Sequence, residues 1–480
     1  MRPADYPVQP SHLWDHFYEI SQIPRPSGQE AAVRSYITGV AERHDCPWRT
    51  DAEGNLLVSV AASAGLEDRE PVLIQNHLDM VTVKSSGSTH DFERDPLELH
   101  VEDGWLRARQ TTLGADNGIG CAAALALLSD PQVRRPPLQL LFTVDEETGL
   151  NGALNLDPDL LGAQRMLNLD TEDWQELFVG CAGGAGWVFE RSFAAGSAPD
   201  GADYWTLELR GLAGGHSGIQ IHEQLGNAIK LLAQCLDDVG ELQLCGADVG
   251  VAHNVIPREG WIQFACPAAQ ARALQDKLEA LTQQLLSWLP AADHALALEL
   301  RPADPAPVVS VSASREILDL LAVFPHGALA YNAASPGDLV DLSINLAQLR
   351  LAGGELMLEA SYRFFNEQQG IPLRQGVLAL ARRFALGVDE QVGYPGWQPD
   401  FDSPLLARAS DLHRELFGVA PQVKAIHAGL ECGILKSKKP ELDILSFGPT
   451  IRGAHSPAER LQIDTVEPFW RFLTALLAIL

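Results

Sequence analysis

The chain has 480 residues, 46% of them apolar and 20% charged, an ordinary globular make-up with length for two or three domains of roughly 100–200 residues each. Its formal charge of −28 argues against nucleic acid or anionic membrane as a partner, because a strongly acidic surface repels phosphate. The longest apolar runs, around Cys121–Leu128 and Phe472–Leu480, fall well short of the roughly 20 residues that a membrane span requires.

The opening MRPADYPVQPSHLWDHF has no apolar segment of the kind a secretory signal needs. Seven cysteines form no C-x-x-C pair, and an odd number of thiols suits a reducing compartment, so a cytoplasmic location is expected. An amphipathic stretch, Leu13–Ile23, predicts a helix that stops at Pro24-Arg25-Pro26. Apolar, β-rich runs follow at Asn55–Val60, Val72–Ile74, Leu138–Val144 and Met166–Leu169, with a small-residue helix over Gly118–Leu128. Strands spaced by helices predict an α/β catalytic domain with a parallel-rich mixed sheet flanked by helices.

After Gly180-Cys-Ala-Gly-Gly the texture changes. Residues 204–210 alternate like a half-buried strand, and helical stretches come at 224–238 and 267–288. A strand-rich stretch at 338–365 precedes a helix at 370–385, which together predict a separate α+β unit. Beyond Tyr394-Pro-Gly-Trp the chain returns to helix (404–417), strand (Ile444–Phe447) and a closing helix. The expected organisation is one catalytic domain, 1–185 and 395–480, interrupted by an inserted domain, 186–394.

Five places combine metal-ligand side chains with a similar local setting. His77 and Asp79 follow the strand Val-Leu-Ile-Gln-Asn, and Asp116 sits just before the helix at Gly118. Glu146 and Glu147 follow Leu-Gln-Leu-Leu-Phe-Thr-Val, Asp170 follows Met-Leu-Asn-Leu, and His455 follows the strand at 444–447 in Gly-Ala-His-Ser-Pro. Open α/β sheets bind ligands outside the carboxyl ends of their strands, which would place all five on one rim. Singly each has an ordinary explanation, such as an N-cap for Asp116 or a solvated pair for the glutamates. Jointly, two histidines and three carboxylates, one bridging, give each of two metals three protein ligands. The set has no thiolate, so zinc, cobalt or manganese suits it. In His77-x-Asp79 both side chains project to one side of an extended segment, so Asp79 can take the second ring N–H of His77 and fix its tautomer. Of the two adjacent glutamates, one can bind metal and the other act as a base. Spacing leaves open which.

The stretches LWDHFYEISQIPRPS, QNHLDMV, TTLGADNGIG, TVDEETGLNGA, NLDTED, VGCAGG, GGHSG, YPGW, IHAGLECG and SFGPTIRGAHSP run in order from residue 13 to 457. Through them the chain resembles the aminoacyl-histidine dipeptidases, a branch of the co-catalytic zinc peptidases that also include carnosinases and acylamino-acid deacylases. The resemblance implies one zinc on His77, Asp116 and Asp170 and a second on Asp116, Glu147 and His455, with cobalt or manganese able to substitute. It makes Glu146 the general base, Asp79 the orienting partner of His77, and the Asp116–Asn117 peptide cis. It makes the insert a lid and dimerisation domain. There His216 would reach the substrate carbonyl from a neighbouring subunit of a homodimer, and Arg363 would grip the substrate carboxylate. Asn345 and the Gly429–Gly433 loop are further candidates for the substrate termini. The implied activity is hydrolysis of unblocked dipeptides with Xaa-His preferred, and the alternatives are an N-acyl amino-acid deacylase or a broader dipeptidase.

Overall fold

The computed structural model describes residues 2–333 and 339–480; position 338, where the predicted strand-rich stretch starts, lies outside them. The chain divides into two compact units. The first comprises Met1–Cys181, Trp397–Ala425 and Leu430–Leu480, and the second Ala182–Gly396 with Ile426–Gly429.

The middle of the first unit is built from the apolar runs. Strands β1 (Val72–His77), β2 (Leu138–Thr143), β3 (Arg165–Asn168) and β4 (Asp443–Ser446) lie parallel, with β1 between β2 and β3 and with β4 beside β3. Every residue of β1 is buried, as a strand covered on both faces must be. The full eight-stranded order is Trp48–Thr50, Leu56–Val60, β2, β1, β3, β4, Glu176–Cys181, Gln422–Ile426. Leu56–Val60 joins β2 antiparallel and Glu176–Cys181 joins β4 antiparallel, so the sheet is mixed with a parallel centre.

Helix α1 (Ser11–Ser21) buries Leu13, Trp14, Phe17 and Ile20. Helix α2 (Ala31–Arg43) was not anticipated, although Val33, Ile37, Val40 and Ala41 recur at helical spacing and form its buried face. Helix α3 (Ala115–Ser129) is apolar on all sides and almost wholly buried, and its glycines and alanines let neighbours approach closely. It begins three residues before the predicted start. Asp116 and Asn117 depart from helical φ/ψ there, and the peptide between them is cis.

A second, four-stranded sheet in this unit runs Ile451–Arg452, Arg460–Gln462, Trp105–Ala108, Leu99–Glu102. It ties the segment after Ala108 to the 453–459 turn, because Leu461 pairs with both Ile451 and Leu106.

The second unit carries a nine-stranded sheet with Trp187, Phe189, Leu207, Phe264, Phe324 and Leu358 in its core. Its longest hairpin, Val340–Ala352 with Glu355–Phe364, turns at Gly353 and Gly354. Their φ values of 58° and 90° are ones that glycine adopts readily. Burial alternates along Glu355–Phe364, so Glu359, Ser361 and Arg363 share the face opposite the core. Among the described residues no helix is long and apolar enough to cross a membrane. All seven cysteines are free, and only Cys46 is not buried.

Candidate metal centre

The ligand-type residues of the first unit come together where the parallel strands end. His77 is the last residue of β1, and Glu146–Glu147 follow β2 by three residues. Asp170 follows β3, Asp116 lies in the first turn of α3, and His455 is carried on the 453–459 turn. His77 Nε2 lies 2.9 Å from Asp116 Oδ1 and 3.3 Å from Asp170 Oδ1. His455 Nε2 lies 3.3 Å from the other Asp116 oxygen, Oδ2, and 3.1 Å from Glu147 Oε2. Asp116 therefore offers one oxygen to each of two three-residue sets, His77–Asp116–Asp170 and Asp116–Glu147–His455. A further set joins His77 with both Glu146 and Glu147, so the two adjacent glutamates both reach the cluster.

Asp79 makes two kinds of contact. Its Oδ1 stands 3.4 Å from His77 Nδ1, leaving Nε2 to face Asp116 and Asp170. Its carboxylate also accepts the backbone N–H groups of Glu146 and Glu147, each at 3.1 Å, and the Ser27 hydroxyl at 2.7 Å. Burial alone would raise the Asp79 carboxyl, but His77, Ser27 and the Glu147 amide outweigh it and hold it below the usual carboxylate range. Asn117 Nδ2 donates to Asp170 Oδ1 and, at 3.0 Å, to Leu169 O, which fixes Asp170 beside His77.

The electrostatics are those of crowded negative charge. Burial works against a charged His77, yet Asp170, Asp116 and Asp79 outweigh it and push its pKa well above the ordinary value. Asp116 and Glu147 push His455 up to about 11. Burial, opposed by His77 and reinforced by Asp170 and Glu147, drives Glu146 well upward. Glu172, a carboxylate missed in the sequence, is pushed up to about 8 by burial and then by Asp116 and Asp170.

This donor set fits a divalent metal. Ligands held about 2.0–2.2 Å from a tetrahedral ion stand roughly 3.3–3.6 Å apart, and the separations around both histidines, 2.9–3.3 Å, lie at or below the lower edge of that range. Among the described residues Glu147 Oε1 is buried without a hydrogen-bond partner, and the donors are carboxylate and imidazole only. Cys121 is not among them: its thiol donates to His77 O at 3.1 Å, and burial raises its pKa to about 12.

Three further residues of this region were not singled out individually, although Glu431 lies within the Gly429–Gly433 loop expected at the substrate termini. Arg25 and Glu459 are both 2% exposed and grip the loops that hold His77 and Asp116. Glu431 is fully buried and accepts from Gln75 Nε2 at 2.5 Å and Thr143 Oγ1 at 2.7 Å.

The remaining predicted residues, His216, Arg363, Asn345 and Gly429, all belong to the second unit. His216 Nδ1 accepts the amides of Gly218 at 3.2 Å and Ile219 at 3.1 Å, so in the neutral ring the proton sits on Nε2. Arg363 Nη1 donates to Tyr394 Oη at 3.1 Å while its buried Nε has no partner among the described residues. A methyl group on Gly218 would come within 3.1 Å of Arg363 Nε and of His216 Cε1 and would collide with the His427 carbonyl, so these residues crowd around one glycine. Asn345 Nδ2 donates to His253 O at 3.1 Å and Val255 O at 2.9 Å, leaving a buried Oδ1 with no partner among the described residues. Gly429 packs under Tyr394, whose ring would stand 2.7 Å from an added Cβ. His427, absent from the sequence prediction, shares a 2.7 Å hydrogen bond with Ser343 Oγ, and burial followed by Arg363 lowers its pKa to about 3.

With this geometry in place, comparison with known proteins is decisive. The family model described as peptidase family M20/M25/M40 matches residues 73–478. The chain belongs to peptidase family M20/M25/M40. This M20 peptidase is 36% identical over 474 residues to the cytosol non-specific dipeptidase of Escherichia coli (strain K12), covering 98% of each chain. Its fold matches the crystal structure of aminoacylhistidine dipeptidase from Vibrio alginolyticus with a TM-score of 0.90 at 33% identity, covering 98% of this chain and 97% of that one. Human carnosine dipeptidase 1 shares the fold at a TM-score of 0.51 and 11% identity, covering 98% of this chain and 97% of that one.

Proposed function

We propose that this M20 peptidase is a two-metal dipeptidase of the cytosol that cleaves unblocked dipeptides, with Xaa-His dipeptides such as carnosine preferred. The observation that carries the reading is Asp116, which turns one carboxylate oxygen to each of two histidine-containing sets. Zinc is the proposed metal, held by His77, Asp116 and Asp170 at one position and by Asp116, Glu147 and His455 at the other, with cobalt or manganese able to replace it. Bound there, the metals supply Lewis-acid polarisation of the peptide carbonyl and make water a stronger acid.

The chain's own residues supply the rest. Glu146 belongs to neither Asp116-centred set, so its carboxylate is left to take the proton of the attacking water and return it to the leaving nitrogen. Asp79 holds His77 in the tautomer whose Nε2 faces the metal position and fastens the Glu146 and Glu147 amides. His216, with its ring proton on Nε2, is a donor for the developing oxyanion, in this reading of a partner chain in a homodimer. Arg363 and Asn345 hold spare polar atoms for the substrate termini, and Gly429 keeps Tyr394 in place beside Arg363. The cytosolic placement and the breadth of substrate draw on the names of the E. coli and Vibrio relatives.

The test is a substrate panel on protein stripped by chelation and reloaded with zinc, cobalt or manganese. Unblocked dipeptides should be cleaved only after reloading, Xaa-His fastest, with two metals per chain. Cleavage of N-acetyl amino acids with dipeptides untouched would replace this reading by a deacylase. Equal rates across dipeptides would make the enzyme the broad type that the E. coli relative's name describes.

A further inference from the structure

The loop that carries Asp116 is held from two sides by buried charges. On one side the Glu459 carboxylate accepts four consecutive backbone amides. Leu113 and Gly114 donate to Oε2 at 2.7 and 2.9 Å, and Ala115 and Asp116 donate to Oε1 at 2.8 and 3.4 Å. On the other side Arg25 Nη2 donates to Gly114 O at 2.5 Å. The same guanidinium reaches the neighbouring loop, where Nη1 donates to Leu78 O at 2.8 Å and Asp79 O at 2.5 Å. Gly114 is thus gripped at both ends of its backbone, amide toward the anion and carbonyl toward the cation. Its φ of 63° is one that glycine adopts readily, and a side chain there would meet Arg25 Nη2 at 2.5 Å and Met80 Sδ at 2.8 Å.

Both charges are almost wholly buried, and buried charge is costly unless hydrogen bonds satisfy it. Arg25 and Glu459 are not an ion pair: each spends its charge on backbone dipoles of the segments that bear the metal-type ligands. Arg25 reaches Leu78, 53 positions away, and Gly114, 89 positions away, while Glu459 reaches Leu113 across 346 positions. Bonds of this kind from charged groups are the stronger class, and the planar guanidinium can serve two loops where an ammonium cannot.

We infer that Arg25 and Glu459 are positioning residues that set the Asp116 loop against the His77 loop before any metal arrives, so that the centre is preformed rather than assembled by its ions. The inference rests on the reading of Asp116 as the ligand shared by both metals. In Glu459→Gln one terminal oxygen can still accept two amides, while the new NH2 group faces the other two donor to donor. In Arg25→Lys a single ammonium cannot cover carbonyls on both loops.

The experiment measures zinc affinity by chelator competition, together with the melting temperature of zinc-free and zinc-loaded full-length protein, for wild type, Glu459→Gln and Arg25→Lys. Amide hydrogen exchange of zinc-free wild type is recorded alongside. Each variant should bind zinc about 10–100-fold more weakly, the range for residues that orient ligands, and the rise in melting temperature on zinc loading should shrink accordingly. The amides of Leu113, Gly114 and Ala115 should exchange as slowly in zinc-free wild type as those of β1. A merely structural role would lower the zinc-free melting temperature and leave zinc affinity at the wild-type value, which overturns the inference. So does rapid exchange of these amides until zinc is added, a measurement that decides the matter even if a variant fails to fold. Wild type that takes up no zinc overturns the reading of the centre itself, and the clamp with it.

Discussion

The two units hold their polar residues in opposite ways. In the first, carboxylates and imidazoles at strand ends are pressed to within 3.3 Å of one another, and Asp79, Arg25 and Glu459 tie down the backbone beneath them. In the second, Arg363, Asn345 and His427 stand along one region with buried nitrogen or oxygen atoms that have no partner among the described residues. The first arrangement concentrates anionic donors that a cation would satisfy. The second keeps hydrogen-bond capacity unspent, which suits a ligand that brings its own carboxylate and carbonyl. Chemistry and recognition are separable on this view, and substitutions in the two units should fail differently.

The sharpest break lies within the first unit. Glu146→Gln should lower turnover by about 10²–10⁴-fold while metal content stays near two per chain, because a base acts on the proton and a ligand holds the ion. Glu147→Gln should instead lose metal, since Glu147 Oε2 faces His455. Metal analysis of both variants checks this. Metal lost from the Glu146 variant and kept by the Glu147 variant would exchange the two roles.

His216 tests the second unit. Its removal as His216→Ala should cost roughly 10²–10³ in kcat, as loss of an oxyanion donor does, with metal content unchanged. Mixing inactive His216→Ala with inactive Glu146→Gln under subunit exchange then asks whose centre it serves. If sites are shared between chains, a mixed dimer contains one centre with both residues intact and activity returns. No recovery in verified mixed dimers, or a strictly monomeric active enzyme, would confine His216 to its own chain.

Asp79→Asn falls between these cases, with metal affinity or activity reduced about 10–100-fold in a folded chain. Wild-type behaviour of this variant would make Asp79 a bystander of His77. The position also shows what a sequence can and cannot display. The H-x-D spacing exposes the His77 contact, because alternate residues of an extended segment face one way. It cannot display the second kind of contact, since the Glu146 and Glu147 amides that Asp79 accepts are 67 and 68 positions away and carry no side-chain signature.

The same physics separates what was legible elsewhere. The parallel strands were readable as apolar runs, and the carboxylates and imidazoles that cluster at their ends as hard donors, because burial and metal chemistry both select side-chain type. Arg25 and Glu459 were invisible, because their partners are backbone groups that any residue could provide. Arg363 and Asn345 lie within strands, where an outward polar residue is the commonplace solvated face, and only the resemblance singled them out. Helix α2 was missed for a lesser reason: its four apolar positions are diluted by Arg34, Ser35, Tyr36 and Thr38.

The smallest expected effect is one in which the two units should behave alike, since each holds a half-buried histidine whose pKa is lowered. In the first, His16 links Tyr36 Oη at 2.8 Å to Ser129 Oγ at 3.0 Å, and burial, then His12, lowers its pKa to about 4. In the second, His326 Nδ1 accepts from Asn227 Nδ2 at 3.2 Å and from the Leu346 amide at 3.3 Å, and burial, then Lys230, lowers its pKa to about 4. Unfolded, either imidazole takes a proton near pH 6.5. Between 6.5 and 4 the unfolded chain therefore binds more protons than the folded one, and stability falls as the pH falls. Above 6.5 both states are neutral at these positions and contribute no slope. Each histidine withdraws at most about 1.4 kcal/mol per pH unit inside that window. Protonation of His326 would also cost both hydrogen bonds at Nδ1, an acceptor only while unprotonated. His326→Gln should therefore flatten the acid limb of the second unit's unfolding and leave the first unit's unchanged, and His16→Gln should do the reverse. Denaturant unfolding at pH 7, 6, 5 and 4, followed by hydrogen exchange resolved to each unit, measures both slopes. Identical slopes in wild type and both variants would mean that neither imidazole is held neutral by its surroundings.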